Sequence, residues 1–397
     1  MAGGPAIALI DGEHHPAAVR DVLDRLERER GLAGVVFCGG EEKLDPSRPL
    51  AEHFGRPVET EPEAALRRLA VGAEAVVDLA DEPVLPASAK LRLAALALHL
   101  GLRYEAPGAV LEPPRYEPVG FAGPKIAVIG TGKRTGKTAV AGHMAALLRE
   151  RGADPVVVCM GRGGPAKPVV AEAGTALEDL LAIADAGGHA ASDYLEDAAL
   201  AGVRTIGCRR VGGGFAGEPA ESNVPRGAEL AASLEPGAIV FEGSGACIPP
   251  VEVDRTVCVV GAADPEPFAE YRILRADLVL AARELPGAMR FELVPEPAEP
   301  LPDGARVALF TTGADRCEGV EPALVSTNLA RRAALSGDLD RAEGCDVYLT
   351  ELKAAAIDTV ARRARERGAR IVFVRNRPVG VGFDLDAALV NLYDDAA

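Results

Sequence analysis

Residues 126–138 read IAVIGTGKRTGKT and run on as AVAGHMAALLRERG to residue 152. Ile126–Ile129 is the short apolar run of a buried parallel strand. A glycine-rich turn follows, then Lys137 and Thr138, then an apolar-periodic helix to about Arg151. Strand, glycine turn and helix in this order form a P-loop. The backbone N–H groups of the turn face one concavity and the helix N-terminus adds its positive dipole end, so a row of phosphates can sit there. On this reading Gly130, Thr131, Gly132, Lys133, Arg134, Thr135, Gly136, Lys137, Thr138 and Ala139 cradle a nucleotide. Lys137 reaches the β- and γ-phosphates and the Thr138 hydroxyl holds Mg²⁺. The common spacing G-x-x-x-x-G-K-[ST] would place its first glycine at Thr131, and Gly130 and Gly132 flank that position instead.

Further along, Ala238–Phe241 (AIVF) is a strand that runs straight into Glu242-Gly243-Ser244-Gly245. An apolar strand ending in an acid is how a P-loop fold supplies its second Mg²⁺ partner, so Glu242 joins Thr138 as a metal residue. The loop Gly130–Thr138 and the stretch VFEGSG are similar to the corresponding stretches of dethiobiotin synthetase. Between them, the strand Pro155–Met160 ends in Gly161-Arg162-Gly163-Gly164-Pro165. Arg162 and the freed N–H groups at Gly163 suit a phosphate or carboxylate. Arg209 and Arg210, ahead of Gly212-Gly213-Gly214, form a second candidate anion site. Later strands are expected at 256–260, 277–281, 306–310, 346–349 and 371–374, with helices at 322–336 and 354–367. The Pro/Glu-rich segment 284–304 reads as loop or hairpin. Thr311, Thr312, Asn328 and Asn376 in the Arg375-Asn376-Arg377 turn are candidates for holding the base, with Asn376 foremost.

Upstream, AIALI (6–10), GVVFC (34–38) and AVVDL (75–79) alternate with helical patterns at 17–30, 63–70 and 87–100. Alternation of this kind gives a parallel sheet covered by helices, with ligands beyond the carboxyl ends of the strands. The loop Asp11-Gly12-Glu13-His14-His15 lies at such an end. Residues 105–124 hold a run of Pro and Gly and read as a linker. The expected architecture is α/β. A Rossmann-like parallel domain spans 1–120, and a larger doubly wound P-loop NTPase domain spans 123–397.

The net charge of −16 argues against general nucleic-acid binding, which needs a basic face. Only seven of the 43 basic residues are lysine. The seven cysteines are scattered without a C-x-x-C pair, which reads as reduced thiols. No apolar run reaches membrane-spanning length, so a cytoplasmic protein with no membrane partner is expected. A homodimer is the base-rate expectation.

With these motifs in place, a resemblance covers nearly the whole chain. IALIDGEHHPAAVRDVL, VVFCGGEEKL, IGTGKRTGKTAVAG, VCMGRGGP, SNVPRGAELA and TELKAAAID together resemble the cyclic 2,3-diphosphoglycerate synthetase family. The resemblance implies an ATP- and Mg²⁺-dependent ring closure of 2,3-bisphosphoglycerate, with release of ADP and phosphate. Lys137, Lys133 and Glu242 would then be catalytic. Arg134, Arg162, Gly163, Arg209 and Arg210 would hold the substrate's anions. Glu13 and His14 would bring the N-terminal domain over the substrate as a lid. Another P-loop kinase or ATP-dependent ligase for a small anionic metabolite is the alternative. A GTP-binding switch or metal chaperone is disfavoured, because no Asn in the chain is followed by Lys and so no guanine-reading N-K-x-D exists.

Overall fold

In the computed structural model, which describes residues 4–397, the predicted alternation builds two α/β units. The smaller holds residues up to Arg115 together with Phe215–Gly217 and Asp264–Arg275, and the larger holds the rest. Buried Arg272 donates to the carbonyls of Phe268 and Phe215 and so ties the two late segments to each other, while residues 267–274 pack on the helix Ala87–His99 of the small unit. Nothing local in the sequence signals that placement.

The small unit has strands β1 (Ala6–Ile10), β2 (Leu32–Phe37), β3 (Ala75–Asp78), β4 (Arg103–Ala106) and β5 (Ala109–Leu111) in the order β2-β1-β3-β4-β5. The first four are parallel, and β5 turns back on β4 as an antiparallel partner. The start of the expected linker is therefore a hairpin, turned at Gly108 with φ 79°. All five residues of β1 are buried, as befits a strand covered on both faces.

The large unit carries β6 (Lys125–Gly130), β7 (Pro155–Gly161), β8 (Val169–Ala171), β9 (Arg204–Val211), β10 (Glu221–Ser222), β11 (Ala238–Glu242), β12 (Arg255–Val260), β13 (Leu278–Ala281), β14 (Met289–Pro297), β15 (Val307–Phe310), β16 (Leu324–Ser326), β17 (Val347–Glu351) and β18 (Arg370–Gly380). They form one 13-stranded sheet, ordered β10-β9-β7-β11-β6-β12-β13-β14-β18-β17-β15-β16, with β8 on β9. From β9 to β14 neighbouring strands are parallel, and so are β18, β17, β15 and β16. The two blocks run in opposite directions because β14 and β18 pair antiparallel. Their registers are offset. β13 ends opposite Arg290, near the start of β14, whereas β17 ends opposite Val374, which pairs with Pro297 at the other end of β14. The carboxyl ends of both blocks therefore face the middle of the β14–β18 ribbon. Ligand sites in such sheets lie beyond carboxyl ends, so here two such ends converge on one place.

The α/β expectation holds in both units, and the sheet corrects some details. Segment 284–304 contains the nine-residue strand β14. Its prolines obscured it, yet Pro295 turns its carbonyl to the N–H of Glu318 at 2.7 Å, away from β18. A missing N–H on that side costs the ladder nothing. The helix expected at 322–336 begins only at Arg332, after β16. At the surface, Arg362, Arg363, Arg365 and Arg367 pair with Asp185, Asp340 and Glu178. No helix among the described residues is long and apolar enough to cross a membrane, and all seven cysteines are free.

Candidate active site

The phosphate loop is shaped by its glycines and its lysine. β6 ends at Gly130, where a Cβ would fall 2.6 Å from Thr135 Oγ1 and 2.9 Å from the Val259 carbonyl. Arg134 takes φ 58° and Gly136 takes φ 103°, so the chain doubles back before the helix Lys137–Glu150 begins. Lys137 is only 6% exposed. Its Nζ donates to the Gly132 carbonyl at 2.6 Å and to Thr135 Oγ1 at 3.3 Å, folding the side chain over its own loop.

One residue on, Thr138 Oγ1 donates to Glu242 Oε1. Glu242 closes β11 and is 2% exposed, and its Oε2 is buried with no protein partner. Burial, and then the nearby charge of Asp193, push its pKa up to about 8, although Thr138 and Lys137 oppose the rise. Behind it lies a second layer of acids. Burial, reinforced by Glu242 and Glu196, holds Asp197 well above the carboxylate range. Burial raises Glu196 to about 7, against the pull of Lys353. Gly142 in the P-loop helix makes room for this layer, since a Cβ there would lie 2.6 Å from Asp197 Oδ1.

Ligand atoms of Cys159, Asp197 and Glu242 lie within 4.8 Å of one another. That trio does not suit Mg²⁺, which takes hard oxygen donors and retains water. The Cys159 thiol is already spent on Asp197 Oδ2 at 3.6 Å. Thr138, Glu242 and Asp193 line the cleft with oxygen donors, which suit Mg²⁺ better, and Glu242 Oε2 has no protein partner.

These groups open into a cleft of about 690 Å³ where the two blocks of strands converge. Lys133, Arg134, Thr135, Gly136, Lys137, Thr138, Ala139, Arg162, Gly163, Glu242 and Asn376 all line it. Gly130, Thr131 and Gly132 form the base of the loop. Arg162 lies over Gly245, where a Cβ would come within 2.3 Å of its guanidinium. Arg209 and Arg210 are separated. Consecutive strand residues face opposite sides, so on β9 Arg209 is exposed while Arg210 is buried. Neither arginine is among the residues that line the cleft, a correction to the expected pair. Arg210 donates to the carbonyls of Gly212 and Ser244, with its Nε buried and unpartnered. Glu13 and His14 belong to the small unit. There the buried Asp11 accepts from the N–H groups of Glu13, His14 and Asp81 and from the His14 ring, and Glu13 pairs with Lys43.

The cleft also contains residues that sequence reasoning missed. Asp193 opens the helix Asp193–Leu200. Glu351 ends β17, is 6% exposed, and accepts from Thr312 N and Thr312 Oγ1, both at 2.7 Å, and from Asn376 Nδ2 at 3.4 Å. Its signal in VYLTE is the same strand-ending acid that singled out Glu242, hidden because the strand was expected to stop at Leu349. Lys353 follows two residues later.

Fold and site together define a P-loop nucleotide-binding α/β protein. Models of three cyclic 2,3-diphosphoglycerate synthetase domains match the chain: the N-terminal domain over 5–112, the P-loop domain over 125–286 and the C-terminal domain over 315–377. The chain is 46% identical to the cyclic 2,3-diphosphoglycerate synthetase of Rubrobacter xylanophilus, over 97% of its own length and 96% of that protein. It is 39% identical to the one from Thermococcus gammatolerans, with the same two coverages. It is 35% identical to the one from Methanothermobacter thermautotrophicus, over 98% and 96%. The chain belongs to the cyclic 2,3-diphosphoglycerate synthetase family. Among solved structures, LpxK from Aquifex aeolicus aligns over 71% of the chain and 91% of its own, at 14% identity and a TM-score of 0.43, too slight to carry an argument.

Proposed function

We propose that the protein closes 2,3-bisphosphoglycerate into cyclic 2,3-diphosphoglycerate at the expense of ATP. The observation that carries this reading is a single cleft uniting a phosphate loop, the Thr138–Glu242 pair and a further group of cations at Lys133, Arg134 and Arg162. A nucleotide alone does not require that many. A substrate with two phosphates and a carboxylate, brought against a triphosphate, does, because like-charge repulsion is its main barrier.

The reaction proceeds in two balanced steps. An oxygen of one substrate phosphate attacks the γ-phosphorus, the bond to the β-phosphate breaks, and ADP leaves. An oxygen of the other substrate phosphate then attacks the first substrate phosphorus, the bond to the newly added phosphoryl group breaks, and inorganic phosphate leaves with the ring closed. The second attack is intramolecular and gains from proximity. Lys137 exchanges the Gly132 carbonyl for phosphate oxygens. Lys133 and Arg134 hold the substrate's phosphate against the nucleotide's. Thr138, Glu242 and Asp193 would hold Mg²⁺, which supplies charge neutralisation on the phosphates. The base is expected beside Asn376, where a cavity of about 50 Å³ lined by His143, Arg377 and Pro378 adjoins the cleft at Thr138 and Ala139.

Incubation with ATP, Mg²⁺ and 2,3-bisphosphoglycerate, followed by phosphorus NMR, tests the reading. A cyclic pyrophosphate with stoichiometric ADP and phosphate is expected. ATP hydrolysis with unchanged bisphosphoglycerate, or an open-chain phosphorylated product, would overturn it. Arg162→Ala should raise KM for bisphosphoglycerate about tenfold or more, the worth of a charge-assisted hydrogen bond, with KM for ATP little changed. Equal effects on both would move Arg162 out of the substrate's share of the cleft.

A further inference from the structure

The cleft has a charged wall opposite in origin to the P-loop, built from the end of β17 and the turn after it. Leu352 is fully buried in a cluster with Leu195, Ala198, Ile357 and Ala361. This cluster ties the turn to the helix Asp193–Leu200, which carries Glu196. Lys353 and Ala354 then emerge into the cleft. Ala354 takes φ 49°, and residues Ala356–Ala361 form a π-helix. A non-glycine residue at positive φ and a π turn both carry a cost, and both collect at functional sites where packing holds them in place.

Lys353 Nζ lies 3.5 Å from Glu196 Oε1, and Glu196 Oε2 is buried with no partner. Glu196, and then Glu351 and Asp193, raise the lysine's pKa against the effect of burial, so it is fully charged. An ammonium has three donors, and one long contact does not engage them all. The side chain is also 35% exposed, in a cleft that collects anions. Composition points the same way. This chain uses arginine for most of its basic positions, yet three of its seven lysines, Lys133, Lys137 and Lys353, line this one cleft. A lysine is the compact point charge suited to a phosphate that must move during reaction, where an arginine fork would fix it.

The geometry points to Lys353 as a substrate-phosphate ligand supplied by the C-terminal part of the chain, with Glu196 as its counter-ion and positioning residue before substrate arrives. The assignment rests on the reaction proposed above. On binding, the ammonium exchanges Glu196 for a phosphate of bisphosphoglycerate, on the wall away from the P-loop.

The test compares Lys353→Met, Lys353→Arg and the double variant Lys353→Met/Glu196→Gln in the full-length protein. The double variant removes both charges, so a buried unpaired carboxylate cannot confuse the result by unfolding the protein. Kinetics are paired with calorimetric binding of bisphosphoglycerate and of a non-hydrolysable ATP analogue. Lys353→Met and the double variant should weaken bisphosphoglycerate binding and raise its KM about tenfold or more, as loss of a charge-assisted contact does. Analogue binding should stay within about twofold, and Lys353→Arg should recover part of the loss. Unchanged bisphosphoglycerate binding in the double variant, or an equal loss for both ligands, overturns the assignment. A wild-type protein that binds bisphosphoglycerate but forms no cyclic product overturns the proposed reaction instead, and leaves the binding comparison readable.

Discussion

Lys137→Ala is expected to lower turnover by about 10²–10³-fold or more, the range seen when one preorganised donor to a developing charge is removed, with the fold retained. The side chain is buried and folded over its own loop, touching the Gly132 carbonyl and Thr135 Oγ1. Those contacts are local and the residue lines the cleft, so the fold is expected to survive loss of the amine. What is lost is the only loop cation whose position is fixed by burial. Lys133 and Arg134 are exposed and cannot be pre-aimed as well. The comparison therefore includes Lys133→Ala, for which a smaller loss is expected. Circular dichroism and thermal melting check the fold, and steady-state release of ADP and phosphate checks turnover. A Lys137→Ala protein keeping more than about a tenth of wild-type turnover would remove the P-loop from the reaction, because a clamp of this kind is worth orders of magnitude.

The same loop shows how far the sequence could be read. Gly130, Lys137, Thr138 and the strand-ending Glu242 were legible because local chemistry dictates them: a turn without Cβ atoms, a lysine at the helix start, an acid closing an apolar strand. Adjacent Arg209 and Arg210 misled because the strand continues through both, and the pleat sends neighbours to opposite faces. The second wall was not legible. Glu351 and Lys353 reach the cleft only because β14 and β18 reverse the direction of the sheet, and β14 was disguised by prolines whose missing N–H groups face away from the ladder. Glu196 and Asp197 look like ordinary polar positions on a helix. That helix packs on one side against Leu352 and Ile357, and Asp197 lies against Gly142 and Cys159, contacts between segments far apart in the chain.

Glu242→Gln should separate the requirements of chemistry from those of folding. Turnover should fall about 10²-fold or more, since the substitution removes a negative charge where Mg²⁺ is proposed to sit and a preorganised charge partner is worth that much. The metal-free fold should nevertheless become more stable at neutral and alkaline pH. Glu242 is fully buried, and burial followed by the charge of Asp193 raises its pKa to about 8, despite Thr138 and Lys137. The folded protein therefore holds a proton that the unfolded chain has released above the ordinary glutamate range near pH 4. Stability from that proton is complete below the unfolded pKa and is lost as pH rises towards and through 8. Glutamine has no proton to lose and can still accept from Thr138 Oγ1, so the gap in Tm between variant and wild type should widen from pH 5 to pH 8.5. Added Mg²⁺ should reverse the order, raising the wild-type Tm and leaving the variant's almost unmoved, because a ligand stabilises only the fold that binds it. A variant less stable than wild type at pH 8 without metal would mean that Glu242 is ionised in the resting protein, paired with a cation other than Mg²⁺. A variant that gains as much from Mg²⁺ as wild type would take Glu242 out of the metal site and leave Asp193 and Thr138 to hold it.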